Sequence, residues 1–397
     1  MNGADKLGHL SSSATLDVEL RAKVSALGRG SRHDVCASTS SSRSVSGFRR
    51  IGAVSFPGVC QAFTPDGRCV SLFKTLYTNA CTHSCYYCPN GAMSRGCGKY
   101  SFTPEELAKI VLKLYKENYI EGLFLSSGVG RDEERTMEEM IEAVELLRGK
   151  YGFEGYVHLK ILPGVGRDHI RRAMELADRV SINIETVSSS TMGEISPSKD
   201  YLTDILRRQS FIREEMRRTP LPAGHTTQMI VGGAEERDLD IFRRAVYEYR
   251  KMGVRRVYYS AFTSIEGTPF EGRESVPLQR EKRHYQLDWL HRVYGFSEKE
   301  LFCVFDDEGY LPAEDPKKRL AECLLDGPVD PNTASFKELL TVPGIGPVSA
   351  GRIIRIRKRR RIESPEELSE LGVALKRAWP YLLLRGWRQS TLRWWGS

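Results

Sequence analysis

Between residues 69 and 262, short apolar runs rich in β-branched side chains alternate with amphipathic helical patterns, and this alternation constrains the fold most strongly. Strands separated by helices pair in parallel. The sequence therefore predicts an α/β fold, and curling six such strands gives a partial (β/α)6 barrel of the TIM type. An open, doubly wound sheet would produce the same alternation, so the pattern leaves both architectures open. The predicted strands are residues 70–78, 122–130, 155–164, 179–186, 226–233 and 255–262.

The regions flanking these strands differ from them in composition. Residues 1–47 are rich in Ser, Gly and Ala, so we expect a disordered N-terminal extension. We place the barrel at 48–295, a connector containing Pro, Asp and Gly at 296–330, and a small all-helical domain at 331–397.

Composition also bears on where the protein works. No run approaches the roughly 18 apolar residues of a membrane helix, and the N-terminus lacks an apolar run followed by a cleavage site of small residues. The nine cysteines are odd in number and scattered, which favours a reducing compartment and metal chemistry over a disulfide framework. We therefore expect a cytoplasmic protein with no membrane partner.

Three cysteines, Cys81, Cys85 and Cys88, follow the first predicted strand with the spacing C-x3-C-x2-C. Parallel-sheet enzymes place ligands at the carboxyl ends of strands, so the location suits a functional site. A structural zinc site normally has four ligands in two spaced pairs, and here only Cys97 or His83 could supply a fourth. Three thiolates on a cubane iron–sulfur cluster would instead leave one iron open to a small molecule.

This cysteine spacing, with Tyr87 before the last cysteine, resembles the signature of the radical S-adenosylmethionine (SAM) superfamily. The resemblance implies a [4Fe–4S] cluster whose open iron chelates SAM through its amino and carboxylate groups. It further implies that electron transfer from an external donor cleaves SAM to methionine and a 5′-deoxyadenosyl radical, which abstracts a hydrogen atom.

The same resemblance implies SAM contacts at the ends of three later strands. Its members have a glycine-rich turn for the methionine amino group after the second strand, polar groups for the ribose or carboxylate after the fourth, and backbone beside the adenine after the fifth. Ser-Ser-Gly stands here where many relatives have Gly-Gly-Glu. With Tyr87, the candidate cofactor-binding residues are Ser126, Ser127, Gly128, Asn183, Glu185 and Gly232. Weaker candidates near the mouth of the barrel are Lys199, Tyr258, Tyr259 and Ser260.

A second motif, residues 339–354, indicates a helix-hairpin-helix. Gly344 and Gly346 permit a tight turn with exposed backbone N–H groups, and the helix that starts at Pro347 directs its positive dipole end to the same point. This arrangement suits backbone phosphate, whose contacts position a protein without specifying sequence. Residues 364–384 resemble a degenerate second copy that turns at Gly372.

The net charge of +8 is concentrated in this region. Residues 327–397 contain 13 Lys/Arg and six Asp/Glu, whereas the rest of the chain contains 46 and 45. A near-neutral body with a basic end indicates a polyanionic partner. A helical hairpin serving protein contacts is the alternative. The candidate nucleic-acid-binding residues are Gly344, Gly346, Arg352, Arg355 and Lys358.

A radical SAM barrel followed by helix-hairpin-helix motifs resembles a family described as DNA modification or repair radical SAM proteins, and more distantly spore photoproduct lyase. The resemblance covers residues 50–390 and rests on NACTHSCYYC, SINIET, TTQMIVGG, VYYSAF, YQLDWL and VPGIG. It implies chemistry on duplex DNA, with a uracil-DNA-glycosylase-like protein as a further partner. Two alternatives stay open: the same chemistry on structured RNA such as tRNA, and a non-catalytic iron–sulfur or zinc DNA-binding protein.

Overall fold

The computed structural model describes residues 18–31, 58–63, 69–95 and 98–384 of the 397-residue chain. Cys97 and most of the predicted extension lie outside these ranges. The chain divides into two compact units. The first comprises Met1–Glu236 and Arg244–Val276, and the second comprises Arg237–Arg243 and Pro277–Ser397.

The first unit is built on one sheet in which each strand pairs with the next strand along the chain. Strands β2 to β7 are parallel, and β1, which was not predicted, is antiparallel to β2. A doubly wound sheet would reverse its strand order at a switch point. The uninterrupted order confirms the predicted partial barrel. The strands are β1 (Val59–Phe63), β2 (Cys69–Leu76), β3 (Gly122–Ser126), β4 (Tyr156–Lys160), β5 (Arg179–Ser181), β6 (Gly224–Val231) and β7 (Arg256–Ala261).

Helices connect the parallel strands, and local sequence signals explain where they begin. The helix over Pro104–Lys116, for example, starts with a capping box between Thr103 and Glu106 and buries an apolar stripe that includes Leu107 and Leu114. The helices are α1 (Val18–Gly30), α2 (Pro104–Lys116), α3 (Glu133–Glu145), α4 (Arg167–Leu176), α5 (Ser189–Ile195), α6 (Arg207–Glu215) and α7 (Asp238–Tyr247), with π-helical turns at Leu146–Lys150, Tyr201–Leu206 and Glu248–Met252.

Helix α1 is an ordered segment within residues 1–47, a region for which mostly disorder was expected. Val24 and Leu27 are buried, and Lys23 forms an ion pair with Glu106 of α2 at 3.1 Å. The Ser31 hydroxyl donates to the Lys74 carbonyl oxygen at 3.0 Å. Composition averaged over the whole extension concealed this short amphipathic stretch, whose apolar residues recur at helical spacing.

Alternate residues of each strand face the interior of the barrel. The register pairs Leu76 with Ser126 and Lys160 with Ser181, so the carboxyl ends of the parallel strands lie side by side. The loops that follow these strands therefore meet at one end of the sheet.

The second unit is helical. Its elements are α8 (Leu278–Arg292), α9 (Glu298–Leu301), α10 (Pro316–Leu324), α11 (Phe336–Thr341), α12 (Pro347–Arg357), α13 (Pro365–Glu370) and α14 (Leu375–Ala378), with 3₁₀ turns at Phe302–Val304 and Trp379–Tyr381. Among the described residues of either unit, no helix is long and apolar enough to span a bilayer.

Candidate functional site

A cavity of about 210 Å³ lies in the first unit where the loops after the parallel strands meet. Nine of the ten predicted cluster and cofactor residues line it: Cys81, Cys85, Tyr87, Cys88, Ser126, Ser127, Gly128, Asn183 and Glu185. Its further lining includes Lys160, Lys199, Gln228, Ile230 and Ser260. The fold thus brings together residues that are up to 179 positions apart in the sequence, from Cys81 to Ser260.

The cysteine loop, residues 81–91, folds tightly on itself. The Cys88 N–H donates to the Cys85 carbonyl oxygen at 3.1 Å, and the Gly91 N–H donates to the Cys88 carbonyl oxygen at 3.0 Å. A Cβ at Gly91 would lie 3.0 Å from the Cys85 carbonyl oxygen, so a side chain there would crowd the loop. Burial, followed by the charge of Cys85, raises the pKa of the Cys88 thiol to about 12.

The turn after β3 supports this loop through its backbone. The Gly128 N–H donates to the Thr78 carbonyl oxygen at 2.8 Å, and the Thr82 N–H donates to that of Val129 at 2.8 Å. The Val129 N–H lies 3.4 Å from Cys81 Sγ. A Cβ at Gly128 would come within 2.4 Å of the Ala80 carbonyl oxygen, so this close approach of two backbones requires glycine.

A segment that the sequence analysis largely missed, residues 195–199, lies along the other side of the cysteine loop. The Tyr86 N–H donates to the Ile195 carbonyl oxygen at 2.9 Å, and the Ser84 N–H donates to the Ser198 hydroxyl at 2.9 Å. Lys199 lines the cavity. Burial alone would lower the pKa of Lys199, but the charges of Cys85, Glu185 and Cys81 raise it overall. The ammonium group is therefore held in its charged form beside the cysteines.

Glu185 enters the cavity from a strained backbone. Its φ of 61° lies in the left-handed region, which is costly for a residue other than glycine. Strand β6 holds it there, because its N–H donates to the Gln228 carbonyl oxygen at 3.0 Å and its carbonyl oxygen accepts from the Ile230 N–H at 2.7 Å. Burial and the negative charge of Glu185 raise the pKa of the Tyr87 phenol. Strain maintained in this way is typical of functional positions.

The structure separates the remaining candidates. Gly232 is not among the residues that line the cavity. It forms a turn instead, with a φ of 73° and an N–H that donates to the Glu236 carboxylate at 2.8 Å. Gln228 and Ile230 of the same strand face the cavity instead. Neighbouring residues of a strand point to opposite faces of the sheet. Ser260 lines the cavity, and Tyr259, which precedes it, is buried in the core.

The candidate fourth ligands do not complete a closed metal site. Cys97 lies outside the described residues. His83 is buried, with Nδ1 3.3 Å from the Ser198 hydroxyl and Nε2 3.4 Å from the Glu133 carboxylate. Burial and the charge of Lys199 lower the pKa of His83. Within the described ranges, no three His, Cys, Asp or Glu side chains are arranged to hold a single metal ion. Three thiols on one cavity wall fit a cubane, which is larger than one ion and needs only these ligands to leave an iron open.

In the second unit, two hairpin turns pack against each other. The first joins α11 to α12 through Gly344 (φ 90°), and the second joins α13 to α14 through Gly372 (φ 88°). The Ala374 N–H donates to the Gly344 carbonyl oxygen at 2.9 Å, and the Ser349 hydroxyl donates to the Gly372 carbonyl oxygen at 2.8 Å. A Cβ at Gly344 would lie 2.6 Å from the Ala374 carbonyl oxygen, so the pairing of the turns itself requires glycine.

The first hairpin turn is also held from α10. Lys317 donates to the Ile345 carbonyl oxygen, and its ammonium group lies 4.6 Å from the centre of the Tyr294 ring. Burial, reinforced by the charge of Arg377, lowers the pKa of Lys317 to about 7. No side chain caps the start of α12, where Pro347 follows Gly346.

The basic run on α12 has two kinds of members. Arg352 and Arg355 on α12 and Lys358 at its C-cap are exposed and recur every third residue. Arg357 instead donates to the carbonyl oxygens of Pro331 at 3.1 Å and Ala334 at 2.5 Å, which makes it part of the packing. The three predicted phosphate-binding side chains are thus among the exposed members of the run.

Comparisons with known proteins identify a domain in the first part of the chain and a motif in the second. Residues 75–260 match the radical SAM superfamily, and residues 326–372 match the helix-hairpin-helix motif. The chain therefore contains a radical SAM domain, followed along the sequence by a nucleic-acid-binding motif. The radical SAM superfamily uses a [4Fe–4S] cluster and SAM as cofactors.

Solved structures with similar folds share little sequence with the chain. Methylornithine synthase (PylB) is 15% identical, with a TM-score of 0.45 over 55% of this chain and 60% of that one. The FeFe-hydrogenase maturase HydG from Carboxydothermus hydrogenoformans is 14% identical, with a TM-score of 0.40 over 53% and 48%. The radical SAM methyltransferase TsrM from Kitasatospora setae is 10% identical, with a TM-score of 0.38 over 49% and 37%. The chain thus spans less than two thirds of each of these proteins. No curated protein matches it.

Proposed function

We propose that the protein modifies or repairs DNA by radical SAM chemistry, with the helix-hairpin-helix pair binding the duplex backbone. The observation that carries this proposal is that one chain contains both a cavity lined by three cysteines and a basic helical face beside an uncapped hairpin turn. The first supports cleavage of SAM, and the second supports a polyanionic substrate.

In the cavity, Cys81, Cys85 and Cys88 would hold the cluster. When bound there, the cluster and SAM would supply the chemistry of hydrogen-atom abstraction through a 5′-deoxyadenosyl radical. Lys199, kept charged among acidic groups, is placed to pair with the carboxylate of the cofactor.

The other predicted contacts orient the cofactor. Asn183 would offer an amide to the ribose, and Glu185 would lie beside Tyr87 in the same cavity. Ser126 and Ser127, which line the cavity, would contact the methionine amino group. Gly128 would act differently from that expectation, because a side chain there would collide with the Ala80 carbonyl oxygen, just before the cysteine loop. The protein contributes positioning and the exclusion of water.

In the second unit, the N–H groups at the start of α12 and the side chains of Arg352, Arg355 and Lys358 would bind phosphates. Such phosphate contacts do not distinguish one base sequence from another. The choice of target then falls to the barrel cavity, which would receive a nucleotide flipped out of the duplex. An external electron donor, a uracil-DNA-glycosylase-like partner and a cytoplasmic location complete the proposal.

The test is an anaerobic reaction of reduced, cluster-loaded protein with SAM, run with duplex DNA, with tRNA or without nucleic acid. We expect 5′-deoxyadenosine formation to rise with duplex DNA, and mass spectrometry of the digested nucleosides to show an altered base or sugar. The triple variant Cys81→Ser, Cys85→Ser, Cys88→Ser is the control for SAM cleavage.

Each other outcome assigns a different function. Altered nucleosides only with tRNA would identify an RNA-modifying enzyme. DNA binding with no SAM cleavage by a reduced cluster would identify a non-catalytic DNA-binding protein.

A further inference from the structure

We propose that Ser196 sets the reduction potential of the cluster by donating a hydrogen bond to Cys85 Sγ. This inference rests on the proposed function, because it requires the cluster at the three cysteines. Ser196 is the C-cap residue of helix α5, is fully buried, and has its hydroxyl oxygen 3.1 Å from Cys85 Sγ. The two residues are 111 positions apart, so only the fold brings them together.

The chemistry of a cluster ligand fixes the direction of this hydrogen bond. A cysteine bound to iron is a thiolate, which has no proton and can only accept. The Ser196 hydroxyl must then be the donor. Because this hydroxyl is shielded from solvent, losing Cys85 as a partner would leave it unsatisfied, which is costly in a buried site.

The backbone around Ser196 holds the hydroxyl in place. The Ser196 N–H donates to the Met192 carbonyl oxygen at 2.8 Å, and the Ser196 carbonyl oxygen accepts from the Lys199 N–H at 3.1 Å. On either side of it, Ile195 and Ser198 accept from N–H groups of the cysteine loop, both at 2.9 Å. The donor is therefore positioned relative to the loop by contacts that do not involve the thiol.

The cysteine sulfurs differ in their hydrogen-bond donors. The Val129 N–H lies 3.4 Å from Cys81 Sγ. Cys85 is paired with the side-chain hydroxyl of Ser196, together with the Lys199 ammonium group. Of the two side-chain donors, only Ser196 is neutral, so replacing it changes the hydrogen bond without changing the charge of the cavity.

Hydrogen bonds to cluster sulfurs are one of the factors that set the potential of an iron–sulfur centre. Reduction adds negative charge to the cluster and its thiolates, so a donor stabilises the reduced form more than the oxidised form. Ser196 is expected to raise the potential and to make the cluster easier to reduce.

The experiment is an anaerobic redox titration of the reconstituted full-length protein, followed by electron paramagnetic resonance of the reduced cluster. Ser196→Ala should lower the ratio of reduced to oxidised cluster at a fixed potential about tenfold, which is about 59 mV for one electron. Ser196→Thr keeps the hydroxyl and should retain the wild-type potential, whereas the isosteric Ser196→Val should behave like Ser196→Ala. Ser198→Ala is the matched control, because Ser198 contacts the cysteine loop but no cysteine sulfur in the described structure.

The outcomes separate this inference from the proposed function. Equal potentials for the Thr and Val variants, with full clusters in both, would refute the role of Ser196 and leave the function intact. Loss of the cluster in Ser196→Val but not in Ser196→Thr would also refute it, because the hydroxyl would then be needed to hold the cluster and not to tune it. A wild-type protein that binds no cluster would refute both.

Discussion

The close approach at Gly128 makes Gly128→Ala the most specific test of how the cysteine loop is built. An added Cβ would lie 2.4 Å from the Ala80 carbonyl oxygen and 3.2 Å from Cys81 Cβ, so one of the two backbones must move. Overpacking of this kind costs about 1–3 kcal/mol. The movement would also weaken the hydrogen bonds from Gly128 to Thr78 and from Thr82 to Val129, at about 1 kcal/mol each. We expect the loop to lose about 3–5 kcal/mol of stability if both hydrogen bonds are lost.

The assay is the iron and sulfide content per chain after anaerobic reconstitution, together with thermal unfolding of the cluster-free protein. Gly130→Ala is the matched control in the same turn, because an added Cβ there meets no atom closer than 3.6 Å. Gly128→Ala should bind much less iron and sulfide, and Gly130→Ala should bind the wild-type amount. Equal contents in the two variants would show that Gly128 does not support the loop.

Three further predictions test other parts of the account. Arg355→Ala should reduce the slope of log affinity for duplex DNA against log salt by about 0.9 and leave the unfolding temperature unchanged. Arg357→Ala should lower the unfolding temperature, because the Arg357 guanidinium group donates to two carbonyl oxygens. Equal effects of the two variants on the slope would contradict this division. Between pH 7 and 10.5, Lys317 is protonated in the unfolded chain but has released its proton in the folded chain, so the free energy of unfolding should rise with pH over this interval. In urea titrations, Lys317→Met should flatten this rise. Identical pH profiles for the variant and the wild type would argue against a lowered pKa of Lys317. Glu185→Gly should relieve about 1–3 kcal/mol of backbone strain and so should not lower the unfolding temperature, while SAM binding in equilibrium dialysis weakens; unchanged SAM binding would remove Glu185 from the site.

Local patterns were sufficient to predict the parallel strands and the cysteine loop. Strand periodicity and helix caps depend on neighbouring residues, as in the capping box of Thr103 and Glu106, and they indicated the six parallel strands of the barrel. The choice between a barrel and an open sheet depended on strand order, which no local pattern encodes. Helix α1 was missed because a serine-rich context concealed its short apolar stripe.

Contacts between distant segments account for most of what the sequence did not predict at the site. Ser196 and Ser198 carry no motif, and only the path of the chain after α5 brings them to the cysteine loop. Glu185 was predicted from its place after a strand, but its left-handed backbone and the effect of its charge on Tyr87 were not. Gly232 was predicted as a cofactor contact, whereas the alternation of side chains along β6 directs Gln228 and Ile230 into the cavity.

The central claim is that Cys81, Cys85 and Cys88 hold a four-iron cluster with one iron open to SAM. Mössbauer spectroscopy of the anaerobically reconstituted, ⁵⁷Fe-labelled protein tests it directly. The account predicts one [4Fe–4S] cluster per chain, with a single iron site whose spectrum changes when SAM is added. A cluster whose four irons are all unaffected by SAM, or an isolated tetrahedral ion bound to the cysteine loop, would contradict it.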